Sequence, residues 1–489
     1  MTDHGVVESE ILSLVGAKPV YDAYGGVSDV QLIPLSELGR PRVDVVIVPS
    51  GLHRDLFPEK LQLIDRAIRL ASNDTSTEYP NYVRENSEEI FQALMLSGNV
   101  SEEDARILSA SRIFLEEAGT YGPNLDSPIS ASNTWENDTK LGSLFIERMS
   151  YIYGDGIWSS KLASGKDLSV VQEELYRTNL AGVQAAAHHT NSNLYGFIDN
   201  DDVFQYLGGI GMAVRTVTGR TPDMYVTDAR DPDKSGVSAL HDFFSKELRT
   251  RYYNPLWIEG MMEQGYSGAR EMDKFTEYLW GWETTVPDLV SENTWSEVHE
   301  IYVDDKYKMG LKEFFDENNP WASQALSGRL LETARKDRWH PSEEMKKELA
   351  QRYEQSVQDY GVTCCHHTCG NLALQEYMRG VLPSPKPDTS KSSSSVSASS
   401  KSGKSSSSRH STASEKAAGY NQTRSVGFGT EASPKPEPSD SSPGEVKGFV
   451  METVDTKTSQ SSSSAAPLLG IGLVIVVLFM IWIGFRGKR

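Results

Sequence analysis

From about residue 383 to 464 the chain changes character: Ser, Lys, Pro and Gly displace the apolar residues, as in SKSSSSVSASSKSGKSSSSRHS. Such a stretch cannot bury enough apolar surface to offset the entropy of ordering its backbone, so a disordered linker is expected there. The linker divides the chain into a body of residues 1–382 and a short C-terminal piece. Within that piece residues 465–485, AAPLLGIGLVIVVLFMIWIGF, carry no charge. Because roughly 20 apolar residues cross a bilayer as a helix, one C-terminal transmembrane helix is expected, and with it a membrane-attached protein. A basic tail, residues 486–489, follows with Arg486, Lys488 and Arg489. The positive-inside rule would leave the body outside the cytoplasm. The first residues, MTDHGVVESEILSLVG, show no basic leader with an apolar core, which favours the opposite side; the sequence alone leaves the side open.

The 489 residues carry a formal net charge of −20, so no basic face is on offer to a nucleic acid and none is expected as a partner. The fragment SGKSS imitates a phosphate-binding loop, but Ala398 stands where the first Gly is needed and no strand precedes it. ATP, if it is used, must be handled by another chain. All three cysteines fall together in CCHHTC, Cys364 to Cys369, which excludes a disulfide framework spread over the fold.

The body reads as helix-rich α/β. VDVVIVPS, Val43 to Ser50, has the continuous apolar character of a buried parallel strand, and DMYVTDA reads as a further strand. Apolar spacing of three and four predicts helices over Pro58–Ala71, Ser101–Glu117, Leu168–His188, Asp201–Thr218, Val237–Arg251, Ser267–Gly281, Val290–Ile301, Trp321–Lys336 and Ser342–Asp359. Ser101 with Asp104, and Ser342 before Glu343 and Glu344, supply N-terminal caps.

A series of motifs runs in order along this body. It comprises VYDAYGGVSDVQLIPLSELGRPRVDVVIVPSGLHRDLFP with Gly51, Arg54 and Asp55; Asn81-Tyr82-Val83-Arg84; AGTYGPNL; ERMSYIYGDG; HHTNSNLYGFIDNDDVFQYLGGI; NPLWIEGMMEQGYSGAREM; and NPWASQALSGRLLETARKDRW. In that order and wording they resemble the C-terminal region of the cobaltochelatase large subunit (CobN) and magnesium chelatase H-subunit family. Gln264 departs from the His usual in the N-P-x-W-I motif. The long region that ordinarily precedes these motifs is not in this sequence, so the resemblance implies one part of an active enzyme: an incomplete piece, a fragment, or one half of a split subunit whose N-terminal region a separate chain supplies. The cysteine–histidine cluster, linker and anchor are additions to the soluble members and are similar to the tail of archaeal ones. The resemblance implies a nitrogen–metal bond-forming chelatase that places a divalent metal, cobalt first and magnesium or nickel as alternatives, into a tetrapyrrole in cobalamin-type cofactor biosynthesis. ATP would be hydrolysed by AAA+-type partner subunits. A non-catalytic, membrane-tethered metal or corrinoid binder is the alternative.

Metal insertion needs groups that act both as ligands and as bases, because two pyrrole protons leave as the ion enters. His188 and His189, at the expected end of a helix and close to Asp199, Asp201 and Asp202, can gather such ligands, with Asp201 and Asp202 on the metal; helix capping by the same residues is the plainer reading. Glu259 and Glu263 share a helix face if Trp257–Met262 is helical, and with Glu271 form a second acid–base candidate. Gly260, Gly265 and Gly268 would let a ligand approach the backbone. Tyr206, Trp257 and Tyr266, together with Trp280 and Trp282, are aromatic candidates for a flat macrocycle, against a core role. His53 and Arg54 follow the expected strand, where Arg54 would hold a macrocycle carboxylate or pair with Asp55 or Asp65. Cys364, Cys365, His366, His367 and Cys369 form a candidate metal cluster suited to delivery or sensing, with a local disulfide or inert thiols as the alternatives.

Overall fold

The computed structural model describes residues 5–362 and 370–382. The linker, the apolar run at 465–485, the basic tail and the cluster Cys364, Cys365, His366, His367 and Cys369 lie outside the described residues. Among the described residues no helix is long and apolar enough to cross a membrane.

The body is a helix-rich α/β fold whose strands form small separate sheets. The largest has three strands: Ala185–Thr190 runs parallel to Asp223–Asp228, which pairs antiparallel with Gly236–Ala239. Around the sheets lies a helical core. The helices Tyr266–Thr285 and Pro320–Arg335 are buried over most of their circumference, so they lack the polar face of a surface helix. Trp280, Trp282 and Trp295 are fully buried, and Trp282 stacks on Phe197 at 5.5 Å between ring centres. Trp280 Nε1 donates to the Ile129 carbonyl at 3.1 Å, which satisfies its one polar atom in the interior. The expected membership of Trp280 and Trp282 in a macrocycle site is therefore corrected: both are core residues.

Several expectations hold. The stretch Asp201–Thr218 is one helical run, although its middle turn, Phe204–Gly208, is wound as a π-helix. Pro255–Met262 is helical, Asp223–Asp228 is a strand, and Ser101 with Asp104 closes a capping box. Three differ. Residues 43–50 are extended but form only a single parallel bridge, Ile47 to Ile113, rather than a full strand. The expected helix Ser101–Glu117 ends at Ser109 and gives way to the strand Ile113–Leu115, because that strand's backbone bonds run to Tyr151–Tyr153. The expected helix Leu168–His188 ends at Ala181, and His188 and His189 lie on the strand Ala185–Thr190, held by parallel pairing to Val226 and Thr227.

Candidate functional site

One wall of the site begins at Ser50, whose side chain accepts the His53 backbone N–H at 3.2 Å and so starts the short helix Gly51–Leu56. Arg54 on that helix is completely buried. It grips Asp55 with two bonds of 2.7 and 3.0 Å and donates to the carbonyls of Glu116, Glu117 and Thr120 at 3.1–3.3 Å. All five N–H groups of the guanidinium are thereby used within the protein. Arg54 pairs with Asp55 and pins the 116–120 loop against the helix; the expectation that it grips a macrocycle carboxylate is corrected, since no donor remains. Tyr121 O–H adds a bond to Asp55 Oδ2 at 2.7 Å. His53 sits on the same helix, half-buried, its ring 5.5 Å from Phe57.

Behind this wall lies Glu116, which sequence reading missed because it falls in an apparent helix end. The residue is 2% exposed; Oε1 accepts the Gly122 N–H at 3.1 Å, and Oε2 has no hydrogen-bond partner among the described residues. Burial pushes the Glu116 carboxyl above the usual range, against the bonds from backbone amides and the pull of Arg54. Gly51 is required here: a Cβ at this position would drive into Glu116 Oε1 and the Tyr121 ring.

The second wall is the turn before the π-helix. Asn200 caps it by accepting the Asp202 N–H at 3.1 Å. Gln205 Oε1 accepts the Leu125 and Asp126 N–H groups at 2.8 and 3.3 Å, which ties the turn to the loop after Tyr121. Tyr206, half-buried on the π-turn, lies in the field of Glu116 and Asp202 and within reach of the Gly51 N–H; burial first, then those two carboxylates, raises its phenol. The Asp202 carboxyl is raised by burial and by neighbouring Asp201.

The third wall is the helix Tyr266–Thr285. Tyr278 packs on Phe204 at 5.7 Å between ring centres. Burial raises its phenol most, followed by the charges of Asp201, Glu271 and Asp126, while Arg270 acts the other way. Glu271 itself lies 3.9 Å from Lys274 Nζ. Sequence reading missed Tyr278 and Asp126; Asp201 and Asp126 act on the Tyr278 phenol from other elements, whereas Glu271 stands two turns before it on the same helix.

Other candidates are arranged differently. His188 packs its ring 5.9 Å from Phe197, and burial, with His189 adding to it, pushes its imidazole down to about 4. Asp199 turns toward Arg251, 3.7 Å away, and toward Tyr252, on whose ring Trp257 packs at 5.2 Å. Among the described residues no group of three or more His, Cys, Asp or Glu is gathered tightly enough to hold a metal ion, so His188, His189, Asp201 and Asp202 do not form a ready-made cage. Glu259 and Glu263 are exposed on the Pro255–Met262 helix and its end, and Tyr266 is 57% exposed. The expected glycine approach is corrected at Gly268. Gly268 makes room for the carbonyl of Met261 in the neighbouring helix, and Gly265 makes the turn at φ +54, whereas Gly260 faces open space. The surface depressions bordered by Glu85 and Leu96, and by Arg69 and Arg106, take in none of the sequence-derived site residues.

Residues 1–346 match the CobN/Magnesium Chelatase family. An uncharacterised protein of Methanocaldococcus jannaschii is 33% identical over 344 residues, 70% of this chain and 27% of that protein. The aerobic cobaltochelatase subunit CobN of Sinorhizobium sp is 30% identical over 337 residues, 68% of this chain and 25% of its own length. Among solved structures, the catalytic subunit of cobaltochelatase from Mycobacterium tuberculosis superposes with a TM-score of 0.63 at 29% identity, covering 72% of this chain and 28% of that one. The chain thus spans about a quarter of the length of the relatives it matches. With a fold and a sequence match extending over most of its body, the chain belongs to the CobN/magnesium chelatase family.

Proposed function

We propose that this chain contributes to inserting a divalent metal into a tetrapyrrole, with cobalt the first choice of metal and magnesium or nickel the alternatives, and with ATP hydrolysed by AAA+-type partner subunits. The reading is supported by the family match over residues 1–346 and by the packing of the π-turn on the helix Tyr266–Thr285 through Phe204 and Tyr278, which sets Asp201, Glu271 and Asp126 in the electrostatic surroundings of the Tyr278 phenol. Metallation strips water from an ion and removes two N–H protons, which calls for oxygen ligands that release easily and for bases held near an apolar surface. Loosely spaced carboxylates around half-buried phenols meet both needs, because they attract the ion without trapping it and leave substrate nitrogens to complete its coordination. Trp257 and Tyr266, on the adjoining helices, offer aromatic surface to the macrocycle. His188, with its proton removed by burial, adds a neutral imidazole donor behind the Asp-rich turn. Glu259, Glu263 and His189 stand as outlying acid–base groups. Membrane attachment through residues 465–485 and metal delivery by the Cys364–Cys369 cluster belong to the same proposal.

The test is insertion of Co2+ into deuteroporphyrin by the full chain together with its ATPase partners and any separate N-terminal chain. The expected result is turnover that falls at least about tenfold in Asp201→Asn and Glu271→Gln. Porphyrin uptake without turnover in every combination of partners and metals would instead identify a binding protein.

A further inference from the structure

A cleft of about 330 Å3 shares no residue with the site described above, and the metal-insertion reading gives it no task. Its size is at the low end of the roughly 300–1,000 Å3 usual for small-molecule pockets. In a chain with a net charge of −20, three arginines meet on it: Arg69 from the helix Pro58–Asn73, Arg84 from Tyr82–Ser97 and Arg106 from Glu102–Ser109. Among the described residues Glu88 is the one carboxylate that lines it, and Glu88 Oε1 accepts from the Gln92 amide at 2.8 Å rather than from an arginine.

The plain task for cations near helix C-termini is to satisfy the last carbonyls. Arg69 does so once, donating from Nη1 to the Ile107 carbonyl at 3.1 Å. Two further carbonyls are met without the arginines: that of Arg69 by Ser72 Oγ and Asn73 Nδ2 at 2.9 and 2.8 Å, and that of Arg106 by Ser109 Oγ at 3.0 Å. Donors therefore remain. Arg69 Nε holds the fully buried Asp65 at 2.7 Å, but its Nη2 is buried without a hydrogen-bond partner among the described residues. Arg106 reaches Glu102 at 2.7 Å, and both side chains are more than 60% exposed, so solvent screens that pair and leaves Arg106 free to turn to a stronger anion. Arg84 makes one long bond, 3.4 Å to the Asp74 carbonyl, and no ion pair among the described residues. It belongs to the Asn81-Tyr82-Val83-Arg84 motif, yet Asn81 caps the helix and Arg84 has no structural duty of that kind.

We propose that this cleft binds the phosphate group of a small ligand, with Arg84 and Arg106 donating from its open side and Arg69 supplying positive charge deeper in; the proposal is independent of the metal-insertion reading. A carboxylate fills one guanidinium fork with its two oxygens, whereas cations arriving from three helices suit an anion with oxygens on several sides. Free phosphate and a phosphate ester present that same group.

The test titrates the full chain with inorganic phosphate, with ADP and with acetate at constant pH and ionic strength, and reads binding as the rise in the unfolding midpoint. A saturable rise is expected with phosphate or ADP and none with acetate. Arg84→Gln is expected to unfold at the wild-type midpoint without ligand and to weaken the apparent affinity at least about tenfold, and Arg106→Gln to weaken it as well. Saturation by ADP well below the concentration needed for phosphate assigns the site to an ester; saturation by phosphate at the same or lower concentration assigns it to the free ion. The proposal is overturned if acetate matches phosphate, if neither phosphate nor ADP moves the midpoint, or if Arg84→Gln binds as tightly as wild type. No porphyrin or metal enters the experiment, so its outcome is separate from that of the metal-insertion reading.

Discussion

Replacing Glu283 by glutamine should make the protein more stable at alkaline pH and change it little in mild acid. Glu283 sits in the Tyr266–Thr285 helix, 4% exposed, with Oε2 accepting the Trp295 indole N–H at 2.7 Å. Burial raises its carboxyl from 4.5 to about 7, while the indole bond and the more distant Arg338 oppose the shift. A carboxyl raised on folding stabilises the folded chain in its protonated form: the contribution is whole below about pH 4.5 and is lost as pH rises through about 7. A displacement of about 2.5 units from 4.5 to 7, at about 1.4 kcal/mol per unit, sets an upper bound of roughly 3 kcal/mol at pH 8. Between pH 5 and pH 8 the linkage relation leaves a change of about 2.5 kcal/mol. Glutamine keeps an oxygen for the Trp295 indole and has no proton to lose, so the variant should lack this pH term. Thermal or denaturant unfolding followed by tryptophan fluorescence from pH 5 to pH 8 reads the effect as a difference between variant and wild type. That difference should widen from pH 5 to about pH 7 and level off by pH 8. A constant difference across the range, or one that widens toward acid, would refute the assignment of a raised carboxyl to Glu283.

Three further outcomes follow from the same geometry. Gly268→Ala pushes a methyl group into the Met261 carbonyl of the preceding helix, and because backbone must move it should destabilise the body by roughly 1–3 kcal/mol, measured by denaturant midpoint. Arg54→Ala strands Asp55 and three loop carbonyls and should cost about 3–5 kcal/mol, with Arg54→Lys recovering little because three donors replace five; unfolding midpoints check both. Asp201→Asn and Glu271→Gln should each lower the ionisation range of Tyr278, since each removes a negative charge from its surroundings, an effect read by ultraviolet difference titration against a Tyr278→Phe control.

The sequence carried the fold wherever local chemistry decides it. Asp201–Thr218 has helical spacing and an Asn200 cap, and Pro255–Met262 has Asn254 before a first-turn proline, so both helices were legible. AAAHHT was not. Alanines favour a helix, but pairing with Asp223–Asp228 supplies backbone bonds that a three-alanine preference cannot outweigh. The glycines of the N-P-x-W-I motif read as room for a ligand because spacing alone does not say what approaches; at Gly268 it is a helix backbone. The site was legible in part. Asp201, Asp202, Tyr206 and Glu271 are grouped with partners the sequence did not name, Glu116, Asp126 and Tyr278, because a convergence of residues up to about 150 positions apart leaves no periodic trace.

The central claim, that the Asp-rich turn and the Tyr266–Thr285 helix together receive a flat macrocycle, is tested most directly by an absorbance titration of deuteroporphyrin with the 489-residue chain and its Tyr206→Ala and Tyr278→Ala variants. The account predicts a saturable shift of the porphyrin band with the wild-type chain that weakens at least about tenfold when either phenol is removed, with each variant folded by circular dichroism. A wild-type chain that leaves the spectrum unchanged, or folded variants that bind as tightly as wild type, would contradict it.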